Sequence, residues 1–303
     1  MRRVIVTGAT SMVGTALIKE CLKNNVETLA VVRTGCQKLG RLPKSALIKV
    51  VECDLSQLAS LQIKGPFDAC YHFAWAHTEK ETRDDPLLQE KNIRHTLSAV
   101  ELAARAGCRK FIGAGSQAEY GSVGHLTAPD TPAHPLTAYG MAKYAAGMLS
   151  RKLCGMRGMT HIWGRIFSVY GENDNEGTML SYAIGQFLKG EPAMLSSAAQ
   201  MWDYLYEEDA GKIFFLLGER VEDDKVYCIA NGACRPLREF ICEMKDAFGP
   251  GAECEFAAGP GRQAAGLQPD VSALLEDIAY RPQVTFQEGI KKMIAHKRKM
   301  SER

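Results

Sequence analysis

The sequence predicts an α/β fold: a doubly wound parallel sheet with a smaller α+β portion at its C-terminal end. Three observations predict it. Short β-branched runs alternate with helix-spaced segments over residues 1–170. A glycine turn, "TGATSMVG" at 7–14, joins the first of these runs to the first helical segment. Beyond residue 170 the loops lengthen, with Gly and Pro gathered around 171–177 and 249–261. Alternation of this kind implies βαβ units, parallel strands and right-handed crossovers.

The elements follow in order. "RVIVT" is the first strand, and residues 13–24 carry helical spacing. "TLAVVRT" is the second strand, before a turn-rich stretch from Gly35 to Lys44. "ALIKVVECD" and "DACYHFA" are the third and fourth strands, and a long helix fits 85–106. "RKFIGAGS" is the fifth strand, a helix fits 138–154, and "MTHIWGRIF" is the sixth strand. Helical segments then fit 178–190, 207–219, 236–247 and 285–298, and the stretch near 203–230 can return to the sheet. The expected division is a sheet-forming part over 1–170, with that return segment, and a smaller part over 171–303.

Composition narrows the class. The chain has 303 residues, 46% apolar and 24% charged, the balance of a globular protein whose core needs no disulfide staples. A formal charge of +2 gives no reason to expect nucleic acid or an anionic membrane as partner. No apolar run reaches the ~18 residues of a membrane span, and Thr7, Gly8, Thr10 and Ser11 break the only signal-like stretch. The expectation is a cytoplasmic protein. The ten cysteines form no C-x-x-C pair and read as buried, reduced thiols rather than metal ligands; no metal site is expected.

The glycine turn has Gly8 for the tight bend and Gly14 for close helix–strand approach, but Ser11 stands where a third glycine often lies. Its context, between a strand and a helix N-terminus, suits a pyrophosphate. An ordinary turn before a buried helix is the other reading. No acid lies between Glu27 and Glu52; the second strand ends at Arg33, with Lys38 and Arg41 nearby. A cation there suits a 2′-phosphate, which points to NADP(H), with NAD possible. A solvent-facing strand end reads equally as an exposed Arg33. Asp54 and Leu55, after the third strand, are placed for adenine contacts.

Tyr139 and Lys143 in "AYGMAK" are an i, i+4 pair on one helix face. A nearby ammonium can lower a tyrosine by ~1–3 pKa units toward the range of a useful base. Ser116 closes the fifth strand, where parallel sheets bind ligands at their carboxyl ends.

With these residues in place, the chain resembles the extended short-chain dehydrogenase/reductase family, whose members are NAD(P)-dependent nucleotide-sugar epimerases, dehydratases and ketoreductases on a Rossmann fold. The likeness runs through "TGATSMVG", "CDL" at 53–55, "YHFAW" at 71–75, "NIRHTLSAVELAARAG" at 92–107, "GSQAEYG" at 115–121, "YGMAK", "RIFSVYG" at 165–171, "WDYLYEEDA" at 202–210 and "YRPQVTFQEGI" at 280–290. It implies Tyr139 as acid/base, Ser116 on the same substrate oxygen, and Lys143 on the nicotinamide ribose. Cofactor contacts are implied at Gly8, Thr10, Ser11, Met12, Val13, Gly14, Arg33, Asp54, Leu55, Phe73, Ala74, Asn92, Tyr139 and Lys143. Substrate contacts are implied at Trp75, His77, Gln117, Ser168, Trp202 and Arg262. A homodimer through the helices at 85–106 and 138–154 is implied as well.

The departures matter. Dehydratases of the family carry an Asp-Glu pair where this chain has Gln117 and Ala118, which disfavours 4,6-dehydration; Glu119, on a strand-like stretch, should point away from Ala118. Ser168 and Trp202 stand where an Asn and an Arg often contact the diphosphate, leaving Arg262 in "GPGRQ" as the best remaining candidate clamp, with a plain loop cation as its other reading. Trp202 could equally be a packing residue. His77 reads as a polar wall residue and His72 as a structural one. The expected activity is NADPH-dependent reduction of a nucleotide-linked 4-keto sugar. A 4-epimerase, a non-catalytic NAD(P)-binding regulator and the reduction of a non-sugar carbonyl are the alternatives.

Overall fold

The structure, a computed structural model, describes residues 1–257 and 266–301. The N-terminal half follows the predicted order, with only short 3-10 turns between β2, β3 and β4: β1 Arg3–Thr7, α1 Met12–Lys23, β2 Glu27–Val32, β3 Ile48–Glu52, β4 Ala69–His72, α2 Pro86–Arg105, β5 Lys110–Ser116, α3 Ala138–Met156 and β6 Thr160–Ile166. The remainder is β7 Val169–Tyr170, α4 Met179–Lys189, β8 Ala193–Leu195, β9 Met201–Trp202, β10 Leu205–Tyr206, α5 Glu207–Arg220, β11 Lys225–Ile229, β12 Arg235–Pro236, α6 Leu237–Phe248, β13 Cys254–Phe256, α7 Ser272–Ile278 and α8 Phe286–Ser301.

Seven strands form one parallel sheet in the order β11-β6-β5-β4-β1-β2-β3. Strand alternation feeds two cores, one on each face. Val4, Val6, Ile112 and Ala114 meet α1 and α5 on one side. Ile5 and Phe111 meet α2 and the end of α3 on the other. A third core, rich in aromatics such as Tyr170, Tyr204, Phe240 and Phe286, joins α4, α6 and α8. The chain runs outward from β1 to β3, then crosses to β4 on the opposite side of β1. That reversal opens a crevice at the carboxyl ends of β1 and β4, where open α/β sheets bind ligands.

Two expectations need correction. Residues 117–119 form a 3-10 turn, not a strand continuation. The Ser116 hydroxyl accepts from the Ala118 N–H at 3.2 Å, and the turn swings Glu119 fully inward. The thiols also differ from the uniform burial expected. Seven are buried, but Cys234 and Cys254 are half-buried and Cys242 is exposed, because α6 turns that face to solvent. Among the described residues no helix is long and apolar enough to cross a membrane, and no His/Cys/Asp/Glu group could hold a metal.

Candidate active site

The glycine turn sits in the crevice. Gly8 follows Thr7, which pairs in register with His72, so Gly8 lies against Phe73 and Ala74. Its φ is +67°, and a Cβ there would stand 2.6 Å from the Ala74 nitrogen. Only glycine fits that left-handed bend and that approach. Ser11 caps α1, its hydroxyl accepting from the Gly14 N–H at 3.1 Å. The Ser11 hydroxyl hydrogen remains able to donate, and Met12 and Val13 lie in the first turn, where helix N–H groups have no carbonyl one turn earlier. The surface is bare of side chains at Gly8 and carries the positive end of a helix dipole, which fits a pyrophosphate. Thr10 faces Cys36, its hydroxyl 3.5 Å from the thiol.

The end of β2 departs from the expectation. Arg33 is exposed. No acid lies along β2, yet two arrive from the neighbouring strand: Asp54 accepts from the Thr34 N–H at 3.1 Å and Glu52 from the Gly35 N–H at 3.3 Å. Register does this, since Val32 pairs with Glu52. Arg41 reaches back to the Thr10 carbonyl at 3.5 Å. The corner therefore holds both signs of charge. Leu55 begins a short 3-10 turn just after Asp54.

Lys143 is buried on the inner face of α3. Its ammonium donates to the Ala114 carbonyl at 2.7 Å and lies 3.7 Å from the centroid of the Trp75 ring. Burial lowers it to about 7; the Glu119 charge opposes that fall and the Arg83 charge adds to it. A lysine ammonium has three donors, and one is spent on Ala114, so the group retains capacity for ribose hydroxyls.

Tyr139 sits one turn before Lys143, with its ring centroid 5.8 Å from the Lys143 ammonium. Burial raises its pKa; Arg83 and a hydrogen bond with Ser116 oppose that rise without cancelling it. The depression expected from Lys143 is absent in these side chains, because the ammonium is drawn toward Ala114 and Trp75 rather than the phenol. Trp75 meets the Tyr139 ring edge-on at 6.0 Å, and Arg83 lies 4.2 Å from that ring's centroid.

α2 holds the β4 loop in place. Asn92 accepts from the Ala76 N–H at 2.9 Å and donates to the Ala76 carbonyl at 3.0 Å. Gln89, one turn earlier, accepts from the Trp75 indole at 2.9 Å and donates to the His77 carbonyl at 2.7 Å. Asn92 thus fixes the loop that carries Trp75. His77 has φ +58°, a strained value for a non-glycine residue, and its backbone is what this clamp holds. His72 is buried and bridges Thr7 at 2.7 Å and Thr96 at 3.3 Å; burial pushes it down to about 3, so it stays neutral.

Glu119 underpins Ser116. Its carboxylate accepts from the Ser116 N–H at 2.8 Å, the Trp163 indole at 3.0 Å and the Arg165 guanidinium at 2.7 Å. Gly113, Gly115 and Gly147 clear space for that indole, since a Cβ at any of them would lie 2.2–2.8 Å from Trp163. Gln117, half-buried, begins the turn after Ser116.

A cavity of about 240 Å³ lies near the next strand end, lined by residues including Ser168, Asp174, Thr178, Leu180, Trp202 and Tyr204. Ile166, two residues before Ser168, pairs with Ser116, which places this cavity's wall beside the same sheet edge. The Trp202 indole donates to the Ser168 hydroxyl at 3.1 Å. The two positions that depart from the family pattern therefore pair with each other. Arg262 lies outside the described residues. Sequence reasoning missed Arg83, Gln89, Asp174 and the Glu119–Arg165 pair. Gln89 carried a usable signal, standing three residues before Asn92 on one helix face.

A seven-stranded parallel sheet with a glycine turn at its switch point defines a Rossmann-type fold. The chain belongs to the NAD dependent epimerase/dehydratase family, whose model matches residues 4–230. It is similar to a putative UDP-glucose 4-epimerase of Methanocaldococcus jannaschii, 21% identical over 96% of this chain and 97% of that one. Among solved structures it resembles the UDP-glucose 4-epimerase of Thermotoga maritima with UDP-glucose (TM-score 0.86, 20% identity, 99% of each chain). It also resembles a UDP-glucuronic acid 4-epimerase of Bacillus cereus in complex with NAD (TM-score 0.84, 19% identity, 97% of this chain and 96% of that one).

Proposed function

We propose that this protein epimerises a nucleotide-linked sugar by transient oxidation of a ring carbon, C4 in the simplest case. The observation that carries the reading is that Ser116, Tyr139 and buried Lys143 gather at the carboxyl end of the sheet, with Lys143 on Trp75, whose neighbour Ala74 abuts Gly8. A bound nicotinamide cofactor supplies hydride acceptance and return. Gly8, Ser11, Met12, Val13 and Gly14 would hold its pyrophosphate, Asp54 and Leu55 its adenine end, and Phe73, Ala74 and Lys143 its nicotinamide end. Asn92 serves that end indirectly, by clamping Ala76.

Tyr139 takes the proton of the sugar hydroxyl as the carbon is oxidised, and returns it to the same oxygen on reduction. Ser116 holds that oxygen by hydrogen bonding. Lys143, one turn along α3 and seated on the Ala114 carbonyl and the Trp75 ring, keeps donors for the nicotinamide ribose. Dehydration is disfavoured: Gln117 and Ala118 bring no acid, and Glu119 is committed to Arg165. The sheet half serves the cofactor, and the half around the third core shapes the sugar pocket through Ser168 and Trp202.

The β2 corner orders the readings. A 2′-phosphate entering there meets Glu52 and Asp54, which favours NAD and a closed redox cycle. Net reduction of a 4-keto sugar with NADPH is the second reading, favoured by exposed Arg33 and by Arg41 at the Thr10 carbonyl. The test has two arms: purified protein with UDP-, dTDP-, CDP- and GDP-hexoses and no added nicotinamide, and the same protein with NADPH and the corresponding nucleotide-linked 4-keto sugars. Epimer formation supports the first reading; stoichiometric NADPH consumption with a 4-keto sugar supports the second. Neither activity across the panel overturns both.

The same reading includes a homodimer. Leu87 on α2 and Met141, Met148 and Leu149 on α3 are 48–76% exposed, an apolar stripe that two copies could cover. Met148→Glu should convert a dimer to a monomer by light scattering, and an unchanged mass would refute this interface.

A further inference from the structure

We infer that Arg83 is a substrate-facing cation that selects sugars carrying a carboxylate on the ring. This rests on the reading of Tyr139 as the residue that meets the reacting sugar oxygen. The Arg83 guanidinium lies over the Tyr139 ring, 4.2 Å from its centroid. It is exposed and forms no ion pair among the described residues.

The two carboxylates beside it in sequence are engaged elsewhere. Asp84 accepts from the Ala138 N–H at 2.7 Å, at the residue before Tyr139. Asp85 caps α2, accepting from the Leu87 and Leu88 N–H groups at 2.9 and 3.1 Å. These bonds pin the loop to both helices and hold Arg83 over the tyrosine with its charge uncommitted. Glu119, the acid whose charge reaches Tyr139, is buried and paired with Arg165. The guanidinium over Tyr139 thus stands without an ion-pair partner among the described residues.

A guanidinium presents paired donors that match a carboxylate, and one that rests on an aromatic face is already partly desolvated. A neutral hexose offers only hydroxyls to the same group. The nucleotide's diphosphate is the competing anion. Tyr139 marks the reacting carbon, so a carboxylate on that same sugar ring is the charge Arg83 is placed to meet.

The experiment uses NAD-loaded protein and matched pairs of glucuronate and glucose linked to UDP, dTDP, GDP or ADP. Affinity and KM are read for wild type, Arg83→Gln and Arg83→Lys, with thermal melts confirming that each variant is folded. The expected result is wild-type preference for the glucuronate by about tenfold or more. Arg83→Gln should erase that preference, and Arg83→Lys should restore part of it. Equal affinity of wild type for both sugars overturns the proposal. Equal loss on both sugars in Arg83→Gln overturns it too, and assigns Arg83 to the diphosphate. Binding of no member of any pair overturns the nucleotide-sugar reading itself, a result distinct from either.

Discussion

The Lys143 ammonium rests 3.7 Å from the centre of the Trp75 indole and donates to the Ala114 carbonyl at 2.7 Å. This seat is dry, and burial lowers the lysine from an ordinary 10.5 to about 7. A base lowered by folding gives full stability above its unfolded value and loses it as pH falls toward the folded one. For Lys143 that window is 10.5 to about 7.

Lys143→Met therefore should stabilise the protein at pH 7 while abolishing turnover. After discounting the lost Ala114 bond, a gain of about 2 kcal/mol and a Tm rise of roughly 4 °C are expected. A Tm below wild type at pH 7 would show that the ammonium is a net stabiliser.

Glu119 ties three donors from three places: Ser116, Trp163 and Arg165. Breaking one side of a buried pair leaves an uncompensated charge, so Glu119→Ala should cost about 3–5 kcal/mol in urea unfolding. Glu119→Gln keeps acceptors for Ser116 and Trp163 and should cost less. Equal costs would mean that charge, not acceptor geometry, holds the turn.

Glu207 lies buried at the start of α5 with one long bond, from the Asn173 N–H at 3.4 Å. Burial pushes its carboxyl up from 4.5 to about 7. The unfolded state holds the charge more readily, so this residue subtracts stability as pH rises from 4.5 to about 7. Glu207→Gln should match wild type in Tm at pH 4 and exceed it at pH 8. A constant difference at both values would contradict the burial argument.

Much of this was legible because it follows spacing along single elements. Tyr139 and Lys143 share a helix face, Ser116 ends a strand, and β1 to β6 are β-branched or apolar runs set off by turns and helices. The two- and three-residue strands β7 to β10, β12 and β13 are too short for any period to register. α7 was also missed, being only the seven residues Ser272–Ile278 between Pro269 and Pro282. What the sequence concealed is lateral. Glu52 and Asp54 reach the β2 corner only through β2–β3 register, and Arg83 reaches Tyr139 only because Asp84 ties its loop to α3. The 3-10 turn at Glu119 follows from a side chain finding Arg165, 46 positions away.

The central claim is that Tyr139 moves the proton at the sugar oxygen while Lys143, Ser116 and the Gly8 turn hold the parts around it. Tyr139→Phe keeps the ring against Trp75 and Arg83 and removes only the hydroxyl. The decisive measurement is its turnover of a nucleotide sugar alongside its thermal stabilisation by NAD(H) and NADP(H). The account predicts wild-type stabilisation by cofactor with turnover reduced by about 10²–10⁴-fold. Turnover within a few-fold of wild type would contradict it.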